Sequence, residues 1–285
     1  MTRQPHPPTG DGFTRIELLV VVVVVLLLLV FAPAYSGPRG DSTRVASCMY
    51  NQKVLMLAWL MYTSDHQDVL PYAFGAKPGT SPGCWSGPGG MPWDMELTMR
   101  TQQGNWDWTN TIAKSPLWRY AGATPAAWRC PADHSTGTTP SGRSVPRPRS
   151  YSMDGWVGGN GDNPPGYTDW SRETNWLVYR RISDMTNPGP AKTWVLIDES
   201  DETINDGLFA LQMTGYTGAP NGTEEIIDLP SARHHGAGVV GFADGHVERH
   251  QWRDQYVLKG QIPGIVPSPR SPDVFWLQDH ATRHP

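Results

Sequence analysis

Four groups of side chains in this 285-residue sequence could do chemistry. The first is His234, Asp244, His246, Glu248 and His250, close together near the C-terminal end. Asp244-Gly245 between two extended runs predicts a hairpin over 238–252, with a type I′ turn that needs positive φ at both central residues. His246, Glu248 and His250 then point to one side of the second strand. With Asp244, and with His234 or His235, they offer nitrogen and oxygen ligands to a divalent metal. The alternative is structural, with His234 tying the hairpin and Asp244-Gly245 making its turn. The second group is the acidic run Asp198-Glu199-Ser200-Asp201-Glu202, with Asp206 nearby. Carboxylates just after a strand can supply oxygen ligands to calcium, although the spacing is not that of an EF-hand. A solvated acidic loop is the alternative. The third group is the three cysteines, Cys48, Cys84 and Cys130. No C-x-x-C pair exists, so a structural zinc site built from cysteines is not expected. The fourth is Glu17, at the start of a long apolar run, where a carboxylate is costly and usually functional.

These groups need elements to hold them. From Leu18 to Ala32 there are fifteen apolar residues without a break, and Phe13 and Ile16 extend the stretch to about twenty. A transmembrane helix over 13–32 is the expectation. Pro33, Gly37, Pro38 and Gly40 predict a break over 33–40. From Val45 the apolar positions Cys48, Met49, Leu55, Met56, Trp59, Leu60 and Tyr62 recur at three- and four-residue steps. That pattern predicts an amphipathic stem helix over 41–65, with Asp41 or Ser42 as its cap. Lys192–Ile197 reads as a buried strand leading into the acidic run. The Pro-rich tail reads as an extended wrap docked by Val274-Phe275-Trp276-Leu277.

Composition narrows the classes. Gly (30) and Pro (27) make up a fifth of the chain, which argues against a helical bundle and for loops and short strands. The 13 tryptophans can supply a core. Trp93, Trp106, Trp108 and Trp118 either form a carbohydrate-binding face or fasten loops. The net charge is −4 and no basic stripe appears, so nucleic acid is not an expected partner. No H-E-x-x-H spacing occurs, which argues against a hydrolytic zinc site.

The N-terminus, Gly12-Phe13-Thr14-Arg15-Ile16-Glu17-Leu18-Leu19-Val20-Val21, resembles the cleavage and methylation motif of type IV prepilins and type II secretion pseudopilins. Arg15 and Asp11 depart from the family's usual residues. The resemblance implies cutting between Gly12 and Phe13 by a prepilin peptidase, N-methylation of Phe13, and pairing of Glu17 with a neighbouring subunit's amine. Further segments resemble one pilin-like group: Ser47 to Lys53, Tyr62 to Asp65 with Leu70-Pro71, Trp128 to Asp133, and Arg149 to Gly155. His234, nine intervening residues, then Asp244-Gly245 is similar to the H-x9-D-G domain associated with prepilin-type processing signals. Cys130 can bridge to Cys84 or to Cys48, or stay unpaired; the matched segments favour Cys48–Cys130.

The fold expected from residues and resemblance together is α+β and pilin-like. An N-terminal transmembrane helix and a stem helix pack on a small antiparallel sheet with long loops. Residues 1–12 are a leader and 66–285 a periplasmic or extracellular β-rich domain. The expected function is structural, not enzymatic: a pseudopilin-like subunit in the inner membrane, partnered by prepilin peptidase and other pilin subunits. No cofactor is expected beyond calcium at Asp198, Glu199 and Asp201. The alternatives are a surface module binding glycan or calcium, and a metal-dependent surface hydrolase using Asp244 and His246.

Overall fold

A computed structural model describes residues 14–31, 39–74, 103–159, 175–219, 222–260 and 266–285. The chain divides into two units, Met1–Thr43 and Arg44–Pro285. The expected leader 1–12, the pair Gly12-Phe13, residues 33–38 of the expected break, Cys84 and Trp93 lie outside the described residues.

In the first unit, helix α1 covers Arg15–Phe31, 17 residues. Its start is a capping box made by Thr14-x-x-Glu17. Thr14 Oγ1 accepts from the Glu17 N–H at 3.2 Å, and Glu17 Oε2 accepts from the Thr14 N–H at 2.8 Å. Seventeen residues rise about 26 Å, short of a hydrocarbon core of about 30 Å. Among the described residues no helix is long and apolar enough to cross a membrane. The transmembrane helix expected over 13–32 is thereby corrected to a shorter apolar helix. The fold class becomes mixed α+β without that spanning element.

Helix α2, Arg39–Asp65, lies mostly in the second unit and begins two residues before the stem helix expected from 41. Cys48, Gln52, Leu55, Met56, Trp59, Tyr62 and Thr63 are all at most 2 % exposed. Their spacing is one face of a helix, so the stripe read from the sequence is the buried face. The helix stops where Gln67 and Asp68 take left-handed conformations, φ 56° and 70°.

The second unit is built on a five-stranded sheet. Two short strands come first in the chain, β1 (Thr136–Thr138) and β2 (Ser144–Pro146), and they pair with each other. The main sheet contains β3 (Tyr151–Asp154), β4 (Trp194–Asp198), β5 (Leu208–Phe209), β7 (Ala237–Phe242) and β8 (Val247–Gln251), in the order β5-β3-β4-β7-β8. Strand β6 (Glu225–Ile226) pairs with β9 (Val266–Pro267) apart from it. All neighbours in the main sheet are antiparallel except β3 and β5, which run parallel and correct the expected purely antiparallel sheet.

Strands β3, β4 and β7 are buried at every residue, because the sheet is covered on both faces. Tyr151, Met153, Val195, Leu196 and Val239 join the cluster that contains the α2 stripe. Trp194, Ile197, Phe209, Val240 and Phe242 join a second cluster with Trp252, Val274 and Leu277. An irregularity in β4 between Trp194 and Leu196 lets both Val195 and Leu196 face the first cluster.

Two glycines allow α2 to lie close to the hairpin. A Cβ at Gly241 would sit 2.6 Å from Met56 Cγ, and one at Gly245 would sit 2.7 Å from Leu60 Cδ1. Gln52 Nε2 donates to Val239 O at 2.8 Å, and Lys53 Nζ donates to Gly245 O at 2.6 Å. A short helix α3, Gln255–Lys259, follows the hairpin, and the C-terminal tail is helical where an extended wrap was expected: α4 covers Pro272–Asp279. Ser271 caps it, accepting from Val274 N–H at 3.2 Å, and Pro272 opens its first turn. Val274 and Leu277 dock as expected, and Trp194 Nε1 donates to Leu277 O at 3.1 Å.

Replacing Gln52 by Ala removes a buried hydrogen bond and opens a void, so the chain should lose about 2 kcal/mol. Lys53→Ala should cost under about 1 kcal/mol, since that side chain lies nearer solvent. Urea denaturation of both variants checks the ranking.

Candidate functional site

The acidic run is not one site. Asp198 and Glu199 are fully buried, at 0 % exposure, because β4 carries them into the interior. The Asp201 side chain is 46 % exposed. Arg233 is the cation beside Asp198 and Asp201, and Arg149 lies near Glu199 and Asp206. Arg233 Nη1 lies 2.7 Å from Asp198 Oδ1, and its Nη2 lies 3.2 Å from Asp201 Oδ1 and 4.0 Å from Asp133 Oδ1. Glu199 looks elsewhere and accepts from the Thr203 hydroxyl at 3.0 Å. Burial pushes Glu199 up to about 8 and Asp198 up to about 7, the latter against the pull of Arg233. Asp198, Glu199 and Asp201 therefore do not converge as the oxygen cage that calcium needs.

Asp198 instead belongs to a cluster that sequence spacing did not assemble. Ligand atoms of Cys48, Cys130, Asp198 and His234 all lie within 4.8 Å of one another, and all four residues are buried. Each comes from a different segment. Cys48 projects from the buried face of α2, and Asp198 ends β4. Cys130 follows a 3-10 turn, Pro125–Trp128, started by a Thr124 cap and Pro125. His234 precedes β7, at a tight loop where His235 and Gly236 are left-handed, φ 58° and 75°, and His234 N–H donates to Ala237 O. Cys130 Sγ is 3.3 Å from His234 Nε2. His234 Nε2 is 3.7 Å, and Cys48 Sγ 3.9 Å, from Asp198 Oδ2. Cys48 Sγ also lies 3.4 Å from the Tyr151 hydroxyl. Burial pushes the Cys48 thiol and the Tyr151 hydroxyl well up.

The surrounding shell is made by the segments matched in the sequence. Ser150 Oγ accepts from Cys130 N–H at 3.1 Å and donates to Asp133 Oδ2 at 2.5 Å. Burial opposes ionisation of Asp133, but Arg233 and the Ser150 and Ser135 bonds hold its carboxyl below the usual range. The two cysteines that the resemblance would join are adjacent here as free thiols.

Asp244 and His246 stay apart from this cluster. The hairpin forms as expected, but its turn is not type I′. Gly245 is left-handed, φ 89°, while Asp244 is not. Gly245 N–H donates to Phe242 O at 2.8 Å and Phe242 N–H to His246 O at 2.9 Å, the pattern of a three-residue loop closed by a glycine bulge. Asp244 Oδ1 accepts from His246 N–H at 3.0 Å and lies 2.6 Å from His246 Nδ1. The pair fastens the turn, and the His246 ring stacks on Phe242 at 4.2 Å. His250 packs on Trp276 with ring centroids 3.9 Å apart and the planes tilted by 30°, and Glu248 Oε1 lies 3.8 Å from its Nδ1. Of the expected metal residues, Asp198 and His234 meet in the buried cluster, while Asp244 and His246 pair with each other at the exposed turn.

Trp106 and Trp108 line an open groove of about 790 Å³ with Arg129, Arg143 and Pro146. Trp118 stacks on Trp108, with ring centroids 5.8 Å apart. No family model, curated protein or solved structure matches the chain.

His250 generates a prediction. Burial, then His280 and Arg253, lowers it to about 4 from 6.5. The unfolded chain therefore binds the extra proton first as pH falls. Stability from this ring is complete above about pH 6.5 and is lost as pH drops toward 4. The amount is about 1 kcal/mol once screening of the partly exposed ring is allowed for. His250→Phe keeps the ring packing and should flatten the stability profile between pH 4 and 7, read by denaturant titration at each pH.

Proposed function

We propose that the chain is a pseudopilin-like structural subunit of a type II secretion or type IV pilus-like filament. In this reading a prepilin peptidase cuts it after Gly12, and it assembles with other pilin subunits through its N-terminal helix. Processing takes place at the inner membrane, and the second unit serves in the periplasm or outside the cell.

The observation that carries this reading is α1. Ile16 and every residue from Leu18 to Leu26 are between 45 % and 77 % exposed. Apolar side chains surround the helix, with no polar face to keep it in water. Each gains about 1.5–3 kcal/mol when covered, so packing among equivalent helices is strongly favoured. Glu17 sits at the helix start, where a neighbour's amine can meet its carboxylate.

The capping box gives Glu17 a role inside its own chain as well, and two substitutions separate the roles. Gln at position 17 can still close a capping box but carries no charge. Glu17→Gln should therefore lose filament incorporation as fully as Glu17→Ala, while expression and Phe13 N-methylation stay at wild-type levels. The readout is the fraction of subunit in sheared filaments, with mass spectrometry of the N-terminus. Normal incorporation of Glu17→Gln would refute charge pairing as the assembly contact.

A second reading is a surface-binding module, supported by the groove that Trp106 and Trp108 line beside Arg129 and Arg143. A glycan array probed with the full chain tests it, and silence across the array would remove it.

A further inference from the structure

We infer that Cys48, Cys130, Asp198 and His234 form a structural site for a borderline-soft divalent metal, zinc above all. Four observations carry this. First, the donors are two sulfurs, one imidazole nitrogen and one carboxylate oxygen, a set that suits tetrahedral zinc and not calcium or magnesium. Second, their ligand atoms all lie within 4.8 Å of one another, close enough to surround one ion after small side-chain adjustments. Third, none of the four residues is more than 2 % exposed. Four protein donors with no opening to solvent describe a structural site and not a catalytic one.

Fourth, the surroundings orient the donors. Arg233 holds Asp198 Oδ1 at 2.7 Å, leaving Oδ2 toward the sulfur and imidazole atoms. The Tyr151 hydroxyl lies 3.4 Å from Cys48 Sγ, and Ser150 fixes the Cys130 backbone. Such outer contacts set the geometry of metal ligands. A divalent ion offsets two of the three charges carried by two thiolates and one carboxylate, and Arg233, shared with Asp133 and Asp201, lies against that carboxylate. Each thiol gives its proton to solvent as its sulfur bonds the ion. The ion would then tie α2 to β4, to the segment after the 3-10 turn and to the loop before β7. This inference does not depend on filament assembly.

The test uses the full chain with Cys84→Ser, so that only two thiols report. Reduced, chelator-treated protein is titrated with Co2+ and then with Zn2+. The expected result is a thiolate-to-cobalt charge-transfer absorption with tetrahedral d–d bands, saturating near one ion per chain and displaced by zinc. Zinc should also protect both thiols from alkylation and raise the thermal midpoint. Cys48→Ser and His234→Ala should each weaken zinc binding by at least about 100-fold, more than loss of an outer contact does. The wild-type chain titrated alongside should give the same tetrahedral d–d bands, so the result does not hang on the folding of any variant. Absence of the charge-transfer band would overturn the inference. So would a Cys48–Cys130 disulfide in protein taken from its native compartment that shows no zinc uptake after reduction.

Discussion

Burial of one face of α2 against β7 sets a geometry that the rest of the second unit follows. The stripe from Cys48 to Tyr62 is too apolar to leave in water, and β7 meets it with Val239 and a glycine at 241 where a side chain would collide with Met56. The approach is close enough for Gln52 to reach the Val239 carbonyl through the core. A helix that lies this near a sheet excludes water from the strands beneath it. Every residue of β3, β4 and β7 is therefore buried, and their opposite face needs a second cover. The cover comes from Trp252, Val274 and Leu277, which the C-terminal helix α4 helps supply.

The same packing gathers the polar centre. Cys48 lies on the stripe, Asp198 at the buried end of β4, and His234 at the entry to β7, so closing helix on sheet brings all three together. Cys130 is delivered by the segment that Ser150 pins beside β3. Contacts between residues more than one hundred positions apart define this place, as with Cys130 and His234 or Cys48 and Tyr151. Burying Asp198, Asp133 and Arg233 together is tolerable because each finds a partner of opposite charge.

Much of the scaffold was legible in the sequence. The three- and four-residue steps from Cys48 to Tyr62 marked both α2 and its buried face. The β-branched and apolar run at Trp194–Ile197 marked β4, and Asp244-Gly245 marked the hairpin. What stayed hidden has physical causes. An acidic run after a strand reads the same whether it points inward or out, so the burial of Asp198 and Glu199 was not visible. Local spacing rules for zinc look for neighbouring cysteines and cannot join four single residues from distant segments. The prolines of the tail suggested an extended chain, yet Ser271-Pro272-Asp273 is a helix start. In the N-terminal run, counting apolar residues suggested a spanning helix of about twenty residues, and among the described residues α1 has 17.

Helix α2 and the sheet should unfold as one cooperative unit. Native-state hydrogen exchange under increasing denaturant tests that most directly. Amides of Cys48–Thr63, of β4 and of β7 should open together, at the free energy and with the denaturant dependence of global unfolding. If the α2 amides exchanged through a separate opening of lower free energy while β4 and β7 stayed protected, the helix would be an accessory to the fold and not its foundation.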